Sequence, residues 1–522
     1  MLINIKLAAP IRKPSGDWAR SDRDKGSVFA AHLAAVFQPN PRVISEKEES
    51  ELLDNTVLSI ADTSPFEPVE VREVRKIIKN FSAKKAPGHD RISGKIIKEL
   101  PPIAIRYLTI VFNACLRLCH FPSQWKEAQI IVLHKPGKAM ENASSYRPIS
   151  LLPVISKIFE KIILARLEPI IINNNLIPDH QFGFKNKHST VEQVHRIANK
   201  ICDSFESKKY VSAVFLDVAQ AFDRVWHEAL LYKIKKSFLD QHYRLIKSYL
   251  HRRTFHVRIN DEISEIEQIN AGVPQGSILA PTLYLVYTAD LPSSPAVLTA
   301  TFADDTALLA AHSGAQMASL RIQNHLDKLE VWLRSWPIKV NGDKSAHITF
   351  TLNRETCPPV SLYGSPIPVV DHVKYLGLHL DRRLTWRTHI WAKRKQLGLK
   401  LRSLYWLIGR SSPLTLENKI LIYRSILRPI WTYGCQLWGR AANSNILVIE
   451  RYQAKVLRCL VDAPWYVPNE EIRKDLNIPI VCEVIERLVN IHQNKLQLHI
   501  NPLASGLAQP PGRSRLRKPR NL

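Results

Sequence analysis

Hydrophobic and polar positions along this chain follow two periods. Short unbroken apolar runs at 128–133, 211–216, 297–303 and 307–311 read as strands buried in a sheet. Elsewhere apolar residues recur every three or four positions. Val71, Val74, Ile77, Ile78 and Phe81 share one face of a helix over 67–81, with Arg and Lys opposite. The same spacing predicts helices over 28–37 and 154–167, and one carrying Ile322, Leu326, Leu329 and Leu333 as a core stripe. A helix with Phe222, Val225, Ala229 and Leu230 is expected directly after the 211–216 run. Another is expected over 278–291, with Pro281 in its first turn. From 211 to about 381 strands and helices alternate, which predicts an α+β fold. Beyond Leu384 the pattern is helical and basic, and the Pro- and Gly-rich stretch from Asn501 reads as a disordered tail.

The polar interruptions of this pattern carry the candidate chemistry. Asp304 and Asp305 fall in the turn between two strands, and Asp217 closes the 211–216 run. Burying a charge is costly unless it is paired or bound to metal. Three carboxylates are also the hard oxygen donors that magnesium takes, and two such ions serve in-line phosphoryl displacement. Taken alone, Asp217 also reads as the N-cap of the following helix. The loop Ala271-Gly-Val-Pro-Gln275-Gly276-Ser277 is stiff, and its glycines let the backbone approach a ligand. Where it enters a helix it would present free N–H groups to an anion or a base edge; its plain alternative is a Gly-Pro turn. A second Pro-Gly turn, Lys135-Pro-Gly-Lys138, follows the 128–133 strand.

Charge narrows the class of partner. Lys and Arg number 73 against 47 Asp and Glu, a net +26, which points to a polyanion, nucleic acid above all. No apolar run approaches the length of a membrane span, so no membrane is expected. Seven scattered cysteines make a poor disulfide framework. With no signal-peptide core at the N-terminus, a reducing intracellular setting follows, cytoplasm and nucleus rather than secretion.

The order strand-Asp217, Gln275 loop, Asp304-Asp305 turn is far more specific than any one of these signals. Here the chain resembles the reverse transcriptases of non-LTR retrotransposons, and most of all the jockey-type elements of insects. The matching strings are Phe215-Leu-Asp-Val-Ala-Gln-Ala-Phe-Asp-Arg-Val-Trp-His227 (motif A), 272–281 (motif B) and Phe302-Ala-Asp-Asp305 (motif C). Asn341-Gly-Asp-Lys-Ser345 (motif D), Lys374-Tyr-Leu-Gly377 (motif E), Ala86-Pro-Gly-His-Asp90 and Tyr146-Arg-Pro-Ile-Ser150 also fit.

The resemblance implies a right-hand polymerase: fingers over 67–210, a reverse transcriptase domain over 118–382, and a helical thumb and C-terminal region over 383–500. A basic tail covers 501–522. It implies that Asp217, Asp304 and Asp305 hold two magnesium ions, or manganese in their place. Phe222 matches the position that excludes a ribose 2′-hydroxyl; a core aromatic is its bland reading. Gln275, Gly276 and Ser277 would line the nascent base pair. Arg147, helped by Lys135 and Lys138, would grip the triphosphate, and Lys344, with Lys339 as rival, would protonate the leaving pyrophosphate. The partners implied are an RNA template, a DNA primer, their RNA–DNA hybrid and dNTPs. The expected activity is RNA-directed DNA synthesis; a decayed or co-opted fragment that only binds nucleic acid is the second reading. Residues 1–66 read as the spacer that follows an endonuclease in such elements, so a shortened copy is expected.

Overall fold

The computed structural model describes residues 9–41 and 66–508. The acidic run at 46–51 lies outside them, as does the tail beyond 508. The chain forms two compact units. The first comprises 1–178, 218–291 and 331–339; the second comprises 179–217, 292–330 and 340–522.

In the first unit, the strand Ala128–His134 pairs antiparallel with Tyr146–Leu151 and parallel with Arg253–Ile259. The strands Glu262–Ile263 and Glu267–Ile269 add to Arg253–Ile259. Phe29, Ala30, Leu33 and Val36 of the helix Asp22–Val36 share a core with Ala128, Ile130, Phe255 and Val257. That helix starts earlier than the apolar period suggests, because Ser21 caps it by accepting from the Asp24 N–H at 3.1 Å. Ile11 and Ala19, in a short hairpin, enter the same core. Residues 11–37 are therefore folded into the unit. A second, helical core gathers Val74, Phe112, Ile158, Phe159, Leu245, Tyr249 and Leu283. Its helix Val71–Asn80 begins later than expected, after the extended stretch around Pro68.

In the second unit, four antiparallel strands lie in the order Ala346–Phe350, Tyr210–Leu216, Asp305–His312, Leu298–Phe302. Every residue of Tyr210–Leu216 is buried, as an unbroken apolar run with strands on both sides requires. The helix Thr190–Glu206 starts on a capping box of Ser189 and Glu192. It brings Val194, Ile197 and Ile201 into the core that holds Val211 and Ala213, at about 1.5–3 kcal/mol for each side chain buried. A hairpin, His372–Tyr375 with Leu378–Asp381, turns through Leu376 and Gly377, both at positive φ. The helices Arg387–Ile408, Asn443–Val461 and Val481–Gln497 complete the unit. Residues 501–508 are not tail: Ala504 packs with Phe182 and Leu496, and Asn501 Nδ2 donates to the Asp179 carbonyl at 2.9 Å. All seven cysteines are free thiols, and no described helix is long and apolar enough to cross a membrane.

Candidate active site

The three carboxylates meet at one end of the second unit's sheet. Leu216 pairs with Thr306, so Asp217 and Asp305 stand level where neighbouring strands run out. Phe302 pairs with Asp305 across a two-residue turn of Ala303 and Asp304, with Ala303 at φ 58. Alanine rarely adopts that conformation unaided. Gln181 holds it there: its Oε1 accepts from the Ala303 N–H at 2.9 Å and from the Gly183 N–H at 2.8 Å. Gly183 lies so close that a Cβ would stand 2.2 Å from the Ala303 nitrogen. The sequence reading missed Gln181 and Gly183. Their signal was present in Gln181-Phe-Gly-Phe, a lone amide and a glycine in an otherwise apolar string.

The carboxylates are less enclosed than the apolar flanks suggested. Asp217 and Asp304 are half-buried and Asp305 is exposed, because the strands end here and leave their last side chains toward water. Asp305 still titrates abnormally. Its carboxyl is pushed up to about 6, first by the protein packed around it and then by the charges of Asp304 and Asp217. The three are thus electrostatically coupled. Their all-oxygen donor set suits a hard divalent cation, which would relieve that repulsion. No three His, Cys, Asp or Glu among the described residues stand close enough to form a ready cage.

Motif D is docked on the same end. The Asn341 N–H donates to the Asp217 carbonyl at 2.8 Å, and the Asp217 N–H donates to Ser345 Oγ at 3.3 Å. Asn341 Oδ1 caps the short turn Gly342–Lys344 and brings Lys344 Nζ to 3.5 Å from Asp217 Oδ2. Between the two rival lysines, this places Lys344 beside a carboxylate. Both partners of the pair are substantially exposed, so it contributes little to stability and leaves the ammonium mobile. Asp217 caps no helix: the next helix begins only at His227, after a turn in which Gln220 takes φ 52.

The other candidates lie in the first unit. Phe222 is half-buried and stacks on Tyr284 with ring centroids 4.6 Å apart. The motif B loop is fixed to the strand Tyr146–Leu151, for the Ser150 N–H donates to the Gln275 carbonyl at 2.8 Å. Gly276, at φ +130, lies where a Cβ would meet the Ser150 carbonyl at 2.3 Å. Arg147, three residues back along that strand, is exposed. Lys135 Nζ donates to the Ser144 carbonyl at 2.8 Å, and Lys138 is exposed in its turn.

Hydrogen bonds fix how this loop enters the helix that follows it. Ser277 is buried: its Oγ accepts from the N–H groups of Leu279 and Ala280, both at 3.0 Å, and from the Tyr249 hydroxyl at 2.9 Å. These bonds lie at the entry to the helix Ala280–Tyr287. That helix start is no anion site. Glu160, fully buried, takes the N–H groups of Ile278 at 2.6 Å and Leu279 at 3.2 Å.

The chain is similar to known proteins over most of its length. Residues 133–380 match the family described as "Reverse transcriptase (RNA-dependent DNA polymerase)". Over 98% of its length the chain is 42% identical to the "Probable RNA-directed DNA polymerase from transposon X-element" of Drosophila melanogaster. It is 41% identical to the corresponding protein from transposon BS and 40% identical to the "RNA-directed DNA polymerase from mobile element jockey", both of that fly and each over 95% of this chain. The chain spans 57, 56 and 55% of those three relatives, little more than half their length.

Proposed function

Because this chain carries a reverse transcriptase domain of the non-LTR, jockey-like kind, we propose that it extends a DNA primer on an RNA template, adding dNTPs to the primer 3′-hydroxyl. The observation that carries this reading is the coupled set Asp217, Asp304 and Asp305 at one sheet end, with Lys344 beside Asp217. On this reading the second unit's sheet is the palm of a right-hand polymerase and the helix Arg387–Ile408 belongs to its thumb. Fingers fall within 67–210.

Asp217, Asp304 and Asp305 would hold magnesium, or manganese in its place. When bound, the metal lowers the pKa of the attacking hydroxyl and stabilises charge on the phosphoryl oxygens. The protein's own groups do the rest. Lys344 holds a proton within reach of Asp217 and passes it to the departing pyrophosphate. Arg147 offers a planar fork to triphosphate oxygens, with Lys135 and Lys138 on the adjoining turn. Phe222 sets its ring where a 2′-hydroxyl would stand, while Gln275 and Gly276 line the nascent pair. Electrostatics and positioning supply most of such a rate enhancement.

The test is primer extension by the intact chain on an RNA template with magnesium and dNTPs. Extension that stops on chelation and resumes with added metal is expected. No extension, under conditions where a related enzyme works, would favour a chain that only binds nucleic acid.

A further inference from the structure

Four hydrogen bonds tie the segment 222–227 to the motif B loop. The Gly272 N–H donates to the Val225 carbonyl and the Val273 N–H to the Phe222 carbonyl, each at 2.8 Å. His227 Nε2 donates to the Gly272 carbonyl, also at 2.8 Å. Burial lowers the pKa of that imidazole. The fourth bond runs from Gln275 Nε2 to Asp223 Oδ1, at 2.8 Å. Contact between the segments is close enough that a Cβ on Gly272, at φ +94, would stand 2.5 Å from the Asp223 carbonyl.

The first three bonds fix the backbone of the loop. The fourth reaches its functional side chain. A carboxamide is two-faced, with an acceptor on one side and donors on the other, and rotation about its last bond exchanges them. An aspartate oxygen that accepts from Nε2 removes that freedom. Asp223 is well placed for this, being only 6% exposed, so its carboxylate has little water to turn to. Lys135 and Arg224 are the charges that act on it.

We propose that Asp223 is a positioning residue: its Oδ1 holds the Gln275 amide so that Oε1 and the second N–H are offered to the incoming nucleotide. The assignment rests on the polymerase reading, since a nucleotide is what would meet that amide. It also gives Asp223, the second Asp of the string 215–227, a task distinct from that of Asp217.

Single-nucleotide insertion on an RNA template tests it. Asp223→Ala should raise the dNTP KM by roughly three- to tenfold, the scale of one lost hydrogen bond, and change kcat less. Gln275→Ala should do the same, and the double variant should be no worse than Gln275→Ala alone. Asp223→Asn keeps an acceptor and should restore the KM. Multiplying effects in the double variant, or a loss confined to kcat, would overturn the proposal. A second arm needs no catalysis. The fall in Tm of the double variant should be smaller than the sum of the single falls, and simple addition would overturn the bond itself. If the unsubstituted chain extends nothing, the polymerase reading fails, while the melting arm still decides the Asp223–Gln275 contact.

Discussion

Phe222 keeps part of its ring accessible while Tyr284 supports one face, and its proposed role is to exclude a ribose 2′-hydroxyl. Phe222→Val should raise ribonucleotide insertion relative to deoxynucleotide insertion by at least about tenfold, the scale of one well-placed discriminating contact. A ring that merely fills space would lower Tm and leave sugar choice unchanged. Asp223 makes a prediction of another kind. Burial, opposed by the Gln275 hydrogen bond and by the charges of Lys135 and Arg224, raises its carboxyl from the ordinary 3.8 to about 7. Between those values the folded chain keeps a proton that the unfolded chain has lost. Its contribution to stability is therefore full below about pH 4 and is lost as pH rises through 7. Tm measured against pH should fall less steeply for Asp223→Asn than for the parent over that window; parallel curves would contradict the burial account. Asp217, Asp304 and the Gln275 loop stand out in the sequence because their neighbours are apolar runs or glycines, whereas Phe222 is singled out by the family resemblance alone. Asp223 does not stand out, and Gln181 does so only as a lone amide in an apolar string, since their meaning lies in partners distant along the chain, Gln275 and Ala303.

Strands were read more faithfully than helix ends. The 211–216 run differs from the observed strand by one residue, because full burial demands an unbroken apolar string. The helix expected over 278–291 is observed only over 280–287, its entry taken up by the Ser277 and Glu160 bonds. The one expected straight after Asp217 gives way to a turn, since the segment 222–227 spends its backbone groups on motif B instead. The Asp304-Asp305 hairpin likewise depends on an outside brace. Gly183→Ala would drive a methyl into the Ala303 nitrogen, where the nearest atoms are all backbone of Phe302 and Ala303 and no flexible side chain can move aside. It should abolish extension nearly as completely as loss of Asp304 and also lower Tm. A variant with parental Tm and activity would show that the turn needs no such brace.

Across the whole molecule, a net charge of +26 meets a basic helical region. In the helix Arg387–Ile408, Arg387, Trp391, Lys395, Arg402 and Trp406 are all exposed, and on the proposed function they would meet a nucleic-acid backbone. The chain is shorter than its relatives, yet motifs A to E are all present within the described residues. Binding and catalysis should therefore be separable. The most direct measurement takes Asp304→Ala beside the parent and follows primer extension and RNA–DNA hybrid affinity on the same preparations. Loss of extension by several orders of magnitude, with hybrid affinity and Tm close to parental, is the predicted result. Undiminished extension by Asp304→Ala would contradict the assignment of the carboxylates as the catalytic centre.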